Sequence, residues 1–127
     1  MRVHYLIGKE NFIDHVSCVK DHGYLYWKKS NKKMELGDIV YLFISGKPYN
    51  RVMYKLEVSD TDVPRDDSQY YRKAFTPDSS CYRFTVVAEY NGECLGRDEL
   101  EKHGIRRHVQ YKILDKEQAD WIAGCFE

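Results

Sequence analysis

The sequence lacks an apolar run long enough to cross a membrane. Hydrophobic residues make up 43% of the 127 positions and charged residues 31%, and no run approaches the roughly 20 residues that a membrane-spanning helix needs. Residues 1–7 also lack the longer apolar stretch and the small-residue cleavage site of a secretory signal. We therefore expect a soluble, cytoplasmic protein with no membrane partner.

Closely spaced cysteines are also missing. None of the four is separated from another by only two residues, and no His-x-x-x-His pair accompanies them. We predict no metal site and no cofactor. The cysteines are predicted to be small buried residues with reduced thiols, namely Cys18, Cys81, Cys94 and Cys125. No histidine forms an obvious pair with a cysteine or carboxylate, so surface or packing roles are predicted for His4, His15, His22, His103 and His108.

An excess of charge of one sign is absent too. Lys and Arg number 20, Asp and Glu number 20, and the formal net charge is zero, which argues against nucleic-acid binding through overall charge. The basic residues are nevertheless clustered, directly after Trp27 and again in the segment 106–108. Those predicted to contact phosphates are Lys28, Lys29, Lys32, Lys33, Arg106 and Arg107, and Arg72 and Lys73 are candidates for the same rim. A solvated loop explains such clusters about as often.

The length and the order of elements predict a single domain over residues 1–127. Strands are predicted over 2–7, 24–27, 38–45, 51–59 and 81–90, with a sixth strand-like segment over 105–112. Helices are predicted over 98–102 and from Asp115, which forms a capping box with Gln118; a polar, partly helical segment covers 11–16, and a polar excursion covers 60–79. Five to six short strands with peripheral helices are typical of a small, strongly bent mixed β-barrel of the α+β class.

The predicted strand after Gly37 and Asp38 has two different faces, because side chains alternate along a strand. One face is purely aliphatic, and the other is formed by Tyr41, Phe43 and Ser45. We expect the aliphatic face to lie in the core and the aromatic face to line a cavity. In the alternative, both faces are buried and the aromatic rings only fill space.

These residue types suit a pocket for a flat base. A base turned out of its strand presents two π faces and a hydrogen-bonding edge, so its pocket needs flat walls and a few polar groups. The predicted pocket residues are Trp27, with Tyr5, Tyr41, Phe43 and Tyr49 as further walls and Asn11 and Ser45 as polar groups. On the residues alone, the favoured alternative has Trp27 in the core and Asn11 as a turn or helix cap.

Several motifs carry a resemblance to a known family. They are Tyr5-Leu6-Ile7 followed by Asn11, Tyr26-Trp27, the segment 37–41 leading to Ser45, Tyr54-Lys55, and Leu100-Glu101 before 104–106. Over nearly its whole length the chain resembles the EVE domain of the PUA-like superfamily, which also contains the YTH and ASCH domains. The resemblance implies a bent β-barrel whose pocket recognises a modified base of DNA or RNA, with a separately encoded effector protein as a candidate partner.

Two other functions stay open. A hydrolase needs a metal-binding carboxylate cluster or a nucleophile beside a base, and the sequence shows neither; it also lacks the motifs of the zinc deaminases. We therefore predict a protein without catalytic activity. The other alternative is a small-molecule binder whose pocket holds a free nucleoside or metabolite.

Overall fold

A computed structural model describes residues 1–30, 32–76 and 80–127. The described residues form six strands, β1 (Val3–Lys9), β2 (Tyr24–Lys28), β3 (Ile39–Ser45), β4 (Arg51–Val63), β5 (Cys81–Glu89) and β6 (Tyr111–Ile113). The helices are α1 (His15–His22), α2 (Arg97–Lys102) and α3 (Lys116–Cys125), and a 3-10 turn covers Ser68–Tyr70.

All six strands belong to one mixed sheet with the order β2-β5-β4-β3-β1-β6. Strands β1 and β3 are parallel, in a register that sets Tyr5 beside Tyr41, and the other neighbours are antiparallel. The pairing of β4 with β3 shifts once and its pairing with β5 shifts three times. Such bulges bend a strand and increase its twist. The sheet therefore curls into a half-barrel with peripheral helices, which confirms the predicted α+β class.

A buried cluster lies on each face of this sheet. One contains the aliphatic side of β3, from Val40 to Ile44, together with Phe84 of β5. The other contains Tyr41 and Phe43, which are 2% and 0% exposed, packed with residues of α2 and α3 such as Leu100 and Ile122. Both faces of β3 are thus buried, which is the alternative that the sequence left open.

The helix ends follow local sequence. Asp115 and Gln118 form the predicted capping box at the start of α3. The Asp14 side chain caps α1 by accepting a hydrogen bond from the Ser17 backbone N–H at 3.1 Å. Helix α1 therefore begins at His15, inside the partly helical segment predicted over 11–16, and continues to His22, because the side chain of Asp14 supplies the capping hydrogen bond.

Three other boundaries differ from the prediction. The strand predicted over 105–112 is confined to Tyr111–Ile113, the residues that pair with β1, because the chain turns at 107–108 just before them. Strand β4 continues to Val63, into the predicted polar excursion, whose residues 77–79 lie outside the described part of the chain. Cys18 and Cys81 are buried as predicted, but Cys94 is exposed and Cys125 is half-buried. None of the helices in the described ranges has the length and apolar character needed to cross a bilayer.

Candidate functional site

A cavity of about 570 Å³ opens where β2 ends, beside the turn after β1 and the connection that precedes β5. Its aromatic lining consists of Phe12, Tyr26, Trp27, Tyr71 and Phe75. Its cationic lining consists of Lys9, Lys28, Lys32 and Arg65. The imidazole ring of His15 also lines the cavity. The cavity therefore combines flat apolar walls with positive charge.

Trp27 belongs both to the core and to the cavity. It lies on β2 directly beside Tyr82 of β5, and its indole stacks on Phe84 with ring centroids 6.1 Å apart and planes inclined by 24°. The half-buried indole also lines the cavity. The two interpretations of Trp27 that the sequence offered are thus compatible.

His15 is held by Glu10, at the first turn of α1. One carboxylate oxygen, Glu10 Oε1, accepts the backbone N–H of His15 at 2.9 Å and the ring Nδ1–H at 2.7 Å. A carboxylate can only accept in such a pair, so Nδ1 carries the proton. The other oxygen, Oε2, lies 3.8 Å from the guanidinium of Arg72. The prediction that no histidine pairs with a carboxylate is wrong here, because the turn after β1 brings together two residues that are five positions apart.

Two further neighbours fix the position of the His15 ring. The imidazole stacks on the indole of Trp27, with centroids 5.5 Å apart. Gly8 leaves room on another side, since a Cβ atom at that position would lie only 3.2 Å from His15 Cε1. The ring is therefore confined by Glu10, Trp27 and Gly8, and the residue is 4% exposed.

A second histidine–carboxylate pair links β1 and β6 to the turn before β3. His4, which is fully buried, donates from Nε2 to Asp38 Oδ2 at 2.9 Å, and its Nδ1 shares a hydrogen bond of 2.9 Å with the Tyr111 hydroxyl. Asp38 also accepts the backbone N–H groups of Arg2 and Glu35, at 3.2 and 3.1 Å. Burial alone raises the pKa of the Asp38 carboxyl, but these hydrogen bonds outweigh it, so that the pKa lies below its usual range.

This network confirms that Gly37 and Asp38 shape the turn into β3. Gly37 has a φ of +86°, which glycine adopts without strain, and the Asp38 backbone N–H closes the turn on the Glu35 carbonyl at 3.0 Å. His4 is thus the second histidine for which the prediction of no carboxylate partner is wrong. Parallel pairing of β1 with β3 brings the two side chains together.

The predicted basic residues separate into two groups. Lys28 and Lys32 line the cavity, and burial, followed by repulsion from Lys28, lowers the pKa of Lys32. Lys29 places its Nζ 5.8 Å from the centroid of the Tyr82 ring, and Lys33 is exposed and lines neither of the cavities described here.

The two predicted arginines lie elsewhere. Arg107 is engaged by Asp98 and Glu101, at 3.2 and 3.6 Å, beside a second cavity of about 490 Å³. Arg106 is exposed and lines neither cavity.

Two cations that line the cavity, Lys9 and Arg65, were not predicted from the sequence pattern. Lys9 and the rim candidate Lys73 place their Nζ atoms 5.4 and 4.3 Å from the ring centroid of Phe12, which is within cation–π range. Arg65 donates to Asp67 and to the Tyr26 carbonyl. The other candidate for the rim, Arg72, faces Glu10 and Asp14.

Of the predicted pocket residues, the structure brings only Trp27 to the cavity. Tyr5, Tyr41 and Phe43 lie in the cluster on the opposite face of the sheet. The other three lie in turns or at a strand end: Asn11 is exposed after β1, Ser45 ends β3, and Tyr49 packs on the first cluster from the turn before β4.

Comparisons with known proteins bear on the fold. No protein-family model and no curated protein matches the sequence. Among solved structures, human THYN1 in complex with DNA containing 5-methylcytosine is similar with a TM-score of 0.67 and 11% identity, over 100% of this chain and 98% of that chain. The fold is PUA-like.

Two bacterial proteins of known structure are also similar to this chain. ASCH from Zymomonas mobilis is similar with a TM-score of 0.63 and 12% identity, over 99% of this chain and 96% of that chain. A Pseudomonas syringae protein gives a TM-score of 0.67 and 15% identity, over 96% and 97% of the two chains. The shared architecture therefore extends over nearly the whole of the present chain.

Proposed function

We propose that this protein binds DNA or RNA and takes one modified base, turned out of its strand, into the cavity beside Trp27. The observation that carries the proposal is the convergence of aromatic walls and lysines on this single cavity. A volume of about 570 Å³ lies within the range of small-ligand sites. Each base stacked on an aromatic ring contributes about 1–3 kcal/mol of binding free energy.

Positive charge at the mouth supports binding of a strand. Lys9, Lys28 and Lys32 line the cavity, so local charge is positive although the formal net charge of the chain is zero. Phosphate contacts of this kind fix the strand in position and make affinity depend on salt. The human THYN1 structure, which shares the fold, holds DNA with 5-methylcytosine, and this also supports the proposal.

The resemblance of the sequence to EVE domains supports a finer assignment. We propose that the chain is an EVE-type domain within the PUA-like superfamily, and that it works with an effector protein encoded elsewhere. On this proposal the domain recognises the modification and leaves the strand chemically unchanged.

The His15–Glu10 pair raises the question of catalysis, because a carboxylate-held imidazole can serve as a general base. Nucleophilic catalysis also needs a hydroxyl or thiol hydrogen-bonded to that base. Among the described residues, none donates such a hydrogen bond to His15 Nε2. Binding without catalysis is therefore the proposal.

The test is a binding titration by fluorescence anisotropy. Single- and double-stranded DNA and RNA oligonucleotides, each with and without 5-methylcytosine or N6-methyladenine, are titrated at several salt concentrations. We expect affinity that falls with salt and a preference for one modified strand of about 5- to 150-fold, equivalent to about 1–3 kcal/mol. A free nucleoside bound as tightly as the strand would favour the small-molecule alternative, and cleavage or conversion of the strand would show an enzyme.

A further inference from the structure

His15 presents a ring nitrogen of defined hydrogen-bonding character. Its Nδ1–H is donated to Glu10 at 2.7 Å, and in a neutral imidazole with a proton on Nδ1 the other nitrogen, Nε2, is an acceptor. Because the backbone N–H of His15 is donated to the same Glu10 oxygen, the carboxylate cannot turn away without breaking two hydrogen bonds. Glu10 therefore sets the tautomer as well as the orientation of the ring.

The Nε2 atom has no protein partner among the described residues and remains accessible, although His15 as a whole is 4% exposed. The residue lines the cavity, so a ligand in the cavity can supply the missing donor. The site is thus prepared for an N–H group of the ligand.

Rigidity makes this acceptor selective. The ring cannot slide away from a poorly matched ligand, because Trp27 stacks on it at 5.5 Å and Gly8 approaches its Cε1 edge. A polar group held in place rejects a ligand that presents the wrong partner much more strongly than a mobile group does. Selectivity therefore depends on Glu10 as well as on His15.

We infer that His15 recognises the edge of the bound base and selects a base with an exocyclic amine over one with a carbonyl at the same position. This inference rests on the proposed function. The amine of cytosine or adenine donates to Nε2, and an N-monomethylated amine keeps one N–H for the same bond. The carbonyl of thymine, uracil or hypoxanthine would place two acceptors against each other. Glu10 acts as a positioning residue.

Two pairs of probes test the inference. All probes are single-stranded DNA 11-mers that differ only in the central base. The first pair carries 5-methylcytosine or thymine, which share the pyrimidine ring and the 5-methyl group. The second pair carries adenine or hypoxanthine, which share the purine ring. Anisotropy titrations at pH 8, where free imidazole is neutral, give the ratio of dissociation constants within each pair. In at least one of the two pairs, we expect the base with the amine to bind at least about tenfold more tightly than the base with the carbonyl. A tenfold ratio of dissociation constants corresponds to the loss of one hydrogen bond worth about 1.4 kcal/mol.

Three variants assign this ratio to the two residues. His15→Phe keeps a ring against Trp27 but has no nitrogen, so the ratio should fall to about one. Glu10→Gln keeps an oxygen acceptor for Nδ1–H and should keep most of the ratio, whereas Glu10→Ala should lose most of it. If wild-type protein binds every strand without an amine preference, or if the preference survives in His15→Phe, the inference is overturned and the proposed function stands. If no strand binds at all, both fail.

An NMR measurement on the wild-type protein does not depend on the variants. A long-range ¹H–¹⁵N spectrum of the free protein should show His15 protonated at Nδ1, and the Nε2 resonance should shift on addition of the preferred strand. A His15 ring protonated at Nε2 in its neutral form would overturn the inference directly.

Discussion

The imidazole of His15 stacks on the indole of Trp27, with ring centroids 5.5 Å apart and planes inclined by 29°. The indole continues the stack to Phe84, which is fully buried in the core. The indole of Trp27, which lines the cavity, is therefore held in place by its packing against the core of the sheet. Changes at Trp27 should consequently affect both the free energy of unfolding and ligand binding.

Trp27→Ala should lower both quantities. We expect a loss of about 2 kcal/mol in the free energy of unfolding, less than the 3–5 kcal/mol of a fully buried aromatic residue, because the indole is half-buried. Binding of a modified oligonucleotide should weaken by about 1–3 kcal/mol. Trp27→Phe keeps a flat ring and should retain most of the binding. Urea denaturation and anisotropy titrations measure the two effects.

Trp121 provides the matched control for this prediction. It lies on α3, where its indole stacks on His103 with centroids 3.6 Å apart, and it lines neither cavity. Trp121→Ala should lower stability without changing the affinity of the folded protein. Equal effects of the two substitutions on affinity would contradict the placement of the site.

We predict that lysines lining the cavity contribute to the salt dependence of binding affinity and that an exposed lysine outside the cavity does not. Lys28→Ser and Lys32→Ser each remove a cation from the cavity and should reduce the slope of log affinity against log salt by roughly one. The loss should be similar for modified and unmodified strands, because phosphate contacts carry no base information. Lys33→Ser serves as the control, since Lys33 is exposed and outside the cavity. A slope that changes equally in all three variants would instead indicate a diffuse charge effect.

Features that depend on neighbouring residues were predictable from the sequence. The capping box at Asp115 and the turn at Gly37 need only short segments, and both are present. Trp27 was placed correctly beside a basic turn because it lies on the same short strand as Lys28. Local side-chain chemistry decides each of these features.

Features that depend on distant pairing were not predictable. The partner of His4 is 34 positions away and becomes a neighbour only through the parallel pairing of β1 and β3. Glu10 and His15 meet because the chain turns between β1 and α1, and a spacing of five has no periodic signal in either a helix or a strand. Tyr71 and Phe75 reach the cavity from a long connection whose path the sequence pattern does not define.

We predict that the free energy of unfolding falls in acid as the carboxylate of Asp38 becomes protonated. Its folded-state pKa lies below the usual value, so the carboxylate stabilises the fold above about pH 4, and this contribution is lost as the pH falls through the lowered folded-state pKa. Asp38→Asn or Asp38→Leu should lower the free energy of unfolding at pH 7 by about 3 kcal/mol, because either leaves buried His4 without its carboxylate partner.

The pH dependence distinguishes this role from a binding role. Denaturation midpoints measured from pH 7 to pH 3 should fall less steeply for Asp38→Asn than for the wild type. Asp98→Asn is the control, because Asp98 is largely exposed and its ion pair with Arg107 should contribute less than about 1 kcal/mol. Unchanged stability of the Asp38 variants together with lost binding would make Asp38 a ligand contact.

Gly8→Ala should impair binding more than folding. The new Cβ would lie 3.2 Å from His15 Cε1, so the imidazole must shift by a few tenths of an ångström against Trp27. We expect weaker binding of the preferred strand by at least a few fold and a change in unfolding free energy of about 1 kcal/mol or less. Gly124→Ala in α3, where a Cβ has no neighbour within 4 Å, should leave binding unchanged. Wild-type affinity in Gly8→Ala would contradict the confined position of His15.

The central claim is that a base enters the cavity beside Trp27, and the two tryptophans of the chain allow a direct test. Their indole N–H resonances are recorded while a single-stranded oligonucleotide with a central 5-methylcytosine, or the modified base preferred in the titrations, is added. The account predicts a large shift of the Trp27 resonance, an unchanged Trp121 resonance on the opposite side of the sheet, and a much smaller Trp27 shift with an abasic strand. A Trp27 resonance that stays in place while the strand binds, or that shifts equally with the abasic strand, would contradict it.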